Sequence, residues 1–156
     1  MSTVQSGHAI RELNQIIGIA RDGHDIYARA VADDGTQDPQ LNALMMRMAA
    51  AKMQVIDGVT RLVRDAGGQP SRHRTLAGSL RGGFGRLGTV LGDADIQYAS
   101  ESQAAEARLV RALEVAARDG ALTAHARRTL NGMLLETRLG WDDMRQEVDE
   151  LRGRDA

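Results

Sequence analysis

Residues 66–92, AGGQPSRHRTLAGSLRGGFGRLGTVLG, lie between two long amphipathic stretches, and their reading decides the fold. Gly67-Gly68 ends the helix before them, because glycine accepts the left-handed conformation without a Cβ penalty. Pro70 stops that helix from resuming. The connection that follows is too long for the tight loops of an up-down-up-down bundle. It carries Leu76, Leu80, Phe84, Leu87 and Leu91 on one side, which predicts a helix within about 74–91 with Leu80, Phe84 and Leu87 inward. Sixteen helical residues would span ~24 Å, enough to travel the length of a bundle. A crossover of that reach makes the helices on either side of it parallel.

The chain outside this segment reads as helix nearly throughout. Ile10, Leu13, Ile17, Ala20, His24, Tyr27 and Val31 recur at spacings of three and four, over a first helix at about 8–33. Asp38 and Pro39 suit the N-cap and first position of a second helix, at about 39–66. Its inner face carries Leu41, Leu44, Met48, Ala51, Val55, Val59 and Leu62. A third helix, at about 93–118, places Ile96, Ala99, Gln103, Glu106, Val110, Leu113 and Ala117 inward. Asp119-Gly120 breaks it, and Thr123 caps a fourth helix at about 123–152. No strand-like alternation of useful length occurs. The expectation is an all-α four-helix bundle forming one domain over residues 1–156, with the crossover at 67–92.

Composition narrows the chemistry. With no cysteine among 156 residues, disulfides, thiolate metal sites, iron–sulfur clusters and a cysteine nucleophile are excluded. A net charge of -1 carries no global footprint for nucleic acid, so none is expected as a partner. No apolar run reaches the ~18 residues of a membrane span, and the first residues lack a signal-peptide core. The expected compartment is the cytoplasm. The arginines of the connection, Arg72, Arg74, Arg81 and Arg86, are read as stems covering the bundle, not as a membrane-surface contact.

The segments LNQIIGIARDGHDIY (13–27), AGGQP (66–70) and LAGSLRGGF (76–84) resemble a family of bacterial ferritin-like four-helix-bundle domains of unknown function. The likeness runs over roughly residues 8–150. It implies a ferritin-like fold and a metal-binding ancestry, and no particular reaction. The chain departs from the family where His24 follows Asp22-Gly23, a position usually held by a carboxylate.

A dinuclear site in such a bundle needs a Glu-x-x-His pair on each of two helices, and no Glu-x-x-His occurs in this sequence. No catalytic residue, cofactor or dinuclear metal is therefore expected. Levels counted from the helix ends bring His24, Lys52, Gln103 and Glu106 to the bundle centre as a polar layer. Lys52, the chain's single lysine, is expected to pair there with Glu106, hydrogen-bonded to His24 or Gln103. The alternative is a reduced oxidase or storage site in which His24 and Glu106 hold iron or manganese.

Helices one and two carry more apolar residues than a bundle seam uses. Ile19 and Ile26 on the first, with Met46 and Met53 on the second, form an expected association surface. The functional expectation is a non-enzymatic bundle that acts by forming a homodimer or by binding a protein partner.

Overall fold

A computed structural model of the protein describes residues 3–32, 36, 38–75 and 94–154. These residues contain four helices: α1 (Thr3–Ala32), α2 (Pro39–Asp65), α3 (Ala94–Ala117) and α4 (Ala124–Arg154). No strand occurs among the described residues. Of the crossover helix expected within 74–91, Arg74 and Thr75 are described and are not helical, and residues 76–91 lie outside the described ones.

Each helix end has a local cause. Asp38 has extended backbone, and its side chain accepts from the Gln40 amide at 2.8 Å and the Leu41 amide at 3.1 Å. Pro39 occupies the first helical position, where a missing N–H costs nothing. Gly67, at φ 79°, closes α2: its amide donates to the Arg64 carbonyl and that of Gly68 to the Val63 carbonyl. Thr123 Oγ1 accepts from the Ala126 amide and starts α4. The first helix begins at Thr3 and not near residue 8, because its polar first turns carry no apolar period to read.

The packing order follows from which faces are apolar. The first helix packs on α2 and α3, and α4 packs on the same two, so α2 and α3 face each other across the core. Direction is set at the ends. The Asp38 amide donates to Asp95 Oδ2 at 3.1 Å, which places the starts of α2 and α3 side by side. Arg154, at the end of α4, pairs with Asp38. His8, near the start of α1, lies 3.7 Å from Asp119, just past the end of α3. Helices α2 and α3 are thus parallel, and α1 and α4 run the other way.

Two apolar clusters fill the interior. One holds Leu13, Ile17, Val59, Leu109, Leu113 and Leu130; the other holds Tyr27, Leu41, Met45, Met144 and Val148. The charged layer described below lies between them. The first part of the connection is laid along α1. Asn14 donates to the Gln69 carbonyl and accepts from the Ser71 amide, while Asp22 accepts from both the amide and the hydroxyl of Thr75. Gly18 permits this approach, since a Cβ there would sit 3.2 Å from Thr75 Cγ2. Arg74 pairs with Asp25, and Arg108 of α3 reaches Asp22 at 3.6 Å.

The expected association surface is corrected on α1. Ile19 and Ile26 are each only 8% exposed. The reason is geometric: α1 is flanked by α2, by α3 and by residues 69–75, so its buried arc is wider than a single heptad seam. Met46 and Met53 do face outward, at 57% and 42% exposed.

Candidate functional site: a charged layer at the bundle centre

Three helices contribute to one buried cluster. Lys52 of α2 places Nζ 2.9 Å from Glu106 Oε1 of α3, and both side chains are almost wholly enclosed. Tyr27 of α1 donates its hydroxyl to the same oxygen at 2.5 Å. Ser102, one turn before Glu106, lies beside the Tyr27 hydroxyl and donates to Met45 Sδ at 3.6 Å. Glu106 Oε2 accepts no hydrogen bond among the described residues.

The electrostatics suit a cation and an anion buried side by side. A buried carboxylate is tolerated only when paired and hydrogen-bonded, and Oε1 receives both an ammonium and a phenol. Burial, then the negative charge of Glu106 and its hydrogen bond, pushes the Tyr27 phenol well above its usual range. Tyr27 therefore stays protonated and remains a donor. The Lys52 stem is also packing material: a Cβ on Gly23 would lie 3.7 Å from Lys52 Cδ, in ordinary contact.

Of the four residues expected in the layer, Lys52 and Glu106 meet, and His24 and Gln103 do not join them. His24 is partly exposed at the edge of α1, with Nδ1 3.8 Å from Asp25 Oδ1. Gln103 lines an open groove with Asp142, Arg145 and Asp149 of α4. Their places are taken by Tyr27 and Ser102. The cause is rotation about the helix axes. The buried seam of α3 runs through Asp95, Ala99, Ser102, Glu106, Leu109, Leu113 and Ala116. Gln103 is one residue off that seam, about 100° round the helix. On α1 the ring that reaches the centre is one turn beyond His24. Tyr27 already stood in the apolar period, and its hydroxyl was the overlooked signal: a buried tyrosine needs a partner for its O–H.

Two further residues escaped the sequence reading. Leu135 and Leu139 of α4 are 62% and 66% exposed, four residues apart on one outward face.

A four-helix, all-α bundle with an ion pair at its centre is the class of protein that these residues define. Residues 8–119, spanning α1 to just past the end of α3, match the family described as "Domain of unknown function (DUF2383)", and the chain belongs to that family. No curated protein matches it. No helix among the described residues is long and apolar enough to cross a membrane.

Proposed function

We propose that the chain is a ferritin-like bundle of the cytoplasm that acts by association, as a homodimer through the outer face of α2, and not through a dinuclear metal centre. The observation that carries this reading is the Lys52–Glu106 pair. An ammonium at the level where a ferritin-like protein would gather cations repels them, and it occupies the carboxylate oxygen that one of them would need. Without a metal centre, the exposed apolar residues become the functional surface. Met46 and Met53 stand two turns apart on α2, with exposed Ala50 between them. Met46 and Met53 are already about half buried, so covering the rest contributes roughly 1 kcal/mol each. A symmetric α2–α2 contact that doubles both supplies the apolar centre of a dimer interface, to which the surrounding residues add.

Light scattering on the untagged protein should give a mass of two chains, and Met46→Glu with Met53→Glu should give one. A monomer at high concentration would overturn the dimer. The rival reading, iron or manganese held through Glu106 and His24, requires His24 to leave its place beside Asp25, and it would be favoured by metal that copurifies with the protein and is lost in Glu106→Gln.

A further inference from the structure

We propose that His8, Glu12 and Asp119 form a mononuclear site for a divalent transition-metal cation, at the end of the bundle where α1 begins and α3 ends. One ligand atom from each residue lies within 4.8 Å of the other two. A cation bonded at about 2.0–2.2 Å holds its ligand atoms roughly 3–4 Å apart, so small side-chain rotations close the site. His8 and Glu12 are four residues apart and project from the same face of α1. Asp119 comes from the turn after α3.

The second observation concerns two enclosed carboxyl groups. Glu12 Oε2 and Asp119 Oδ2 are both removed from solvent, and the two carboxyl groups hydrogen-bond to each other, which requires a proton between them. Asp119 is held in place through its other oxygen, which accepts from the Ala121 amide at 2.8 Å. Oδ2 is left 3.7 Å from His8 Nε2. Two enclosed carboxyl groups held together by one proton are an arrangement in which a cation can take that proton's place. The negative end of α3 adds to the attraction, and Arg127 partly offsets it.

The ligand set names the class. One imidazole nitrogen with two carboxylate oxygens suits zinc, manganese, iron(II) or cobalt, with water in the remaining positions. The exposed side of His8 gives the cation an entry. The cluster lies about 20 Å along α3 from Glu106, so this cation would never share ligands with the central layer. Its effect is to tie the start of α1 to the turn between α3 and α4.

The test uses the full, untagged chain stripped with a chelator. Zinc is titrated by calorimetry, and cobalt by visible absorption. One equivalent should bind, and zinc should raise the melting temperature. His8→Ala and Asp119→Asn should each weaken binding by tenfold or more, while His73→Ala and His125→Ala leave it unchanged. The His8 side chain is mostly exposed, so His8→Ala should keep the fold, which circular dichroism checks. As a readout that needs no variant, the His8 imidazole resonances should shift on zinc addition. No binding at millimolar metal, undiminished affinity in His8→Ala, or an unmoved His8 resonance would each overturn the proposal.

Discussion

Glu106 Oε1 is shared between two donors from two different helices, Lys52 at 2.9 Å and Tyr27 at 2.5 Å. Because α2 and α3 face each other across the bundle, the Lys52–Glu106 contact spans its diagonal and ties their register. Removing one partner of a buried pair leaves an uncompensated charge, which costs about 3–5 kcal/mol. Lys52→Ala should lower unfolding stability by that order in denaturant titrations. The triple variant Tyr27→Phe, Lys52→Met, Glu106→Leu should recover most of the loss, since an apolar set of similar volume removes both charges and leaves no hydroxyl without its acceptor. A triple variant as unstable as the single one would mean that the layer does more than balance charge.

Tyr27→Phe deletes one donor and keeps the ring. A hydrogen bond to a charged group contributes about 1.5–3 kcal/mol, and a loss of that order is expected at equilibrium. In a Tyr98→Phe background Tyr27 is the only tyrosine. Its phenolate absorbance should then appear only together with alkaline unfolding, because burial and the Glu106 charge raise its folded pKa above 10.0. Phenolate appearing in a still-folded protein would place the hydroxyl in solvent.

Glu147 supplies a pH dependence of definite sign. Its carboxyl is raised above 4.5, first by burial, then by the charges of Asp38 and Glu150, with Arg154 opposing. A carboxyl that holds its proton more tightly when folded favours the native state at low pH. That contribution fades as pH climbs from about 4.5 through the folded value. Glu147→Gln should therefore raise the melting temperature at neutral pH and flatten the stability profile across this window. Equal destabilisation at all pH values would show that the carboxylate has a partner which Gln cannot replace.

Asp22 fastens the connection to α1 through Thr75 and, from the far side, through Arg108. Asp22→Ala should loosen residues 69–75 without disturbing the seam. Trypsin should then cut faster after the exposed Arg72 and Arg74, while helix content is unchanged. Unaltered cleavage rates would mean that the remaining contacts, among them Asn14 with Gln69 and Ser71 and Asp25 with Arg74, hold the segment without Asp22.

Much of this molecule is legible from spacing. The breaks at Asp38-Pro39, Gly67-Gly68 and Thr123 are local events, decided by a side-chain cap, a fixed φ or a glycine, and each stands where the chain says it should. The length of the segment after Gly67 called for parallel second and third helices, and the contact of Asp38 with Asp95 has that sense. The meeting of Lys52 with Glu106 followed from counting along helices of known rise. Rotation about each helix axis is a different kind of quantity. A seven-residue repeat constrains it only to within about a residue, so Gln103 and Ser102, or His24 and Tyr27, compete for the same level. The choice between them is made by packing: the face of α3 that admits Ser102 also buries Leu109 and Ala116. The fate of Ile19 and Ile26 was equally beyond one helix, since a side chain is exposed or covered according to what lies beside it. The contact of His8 and Glu12 with Asp119 joins residues more than a hundred positions apart. One-dimensional order determined the helices, the capped ends at Asp38-Pro39, Gly67-Gly68 and Thr123, and the direction of the chain. Three-dimensional packing determined which polar atoms meet, because that depends on helix rotation and on neighbours that no local pattern encodes.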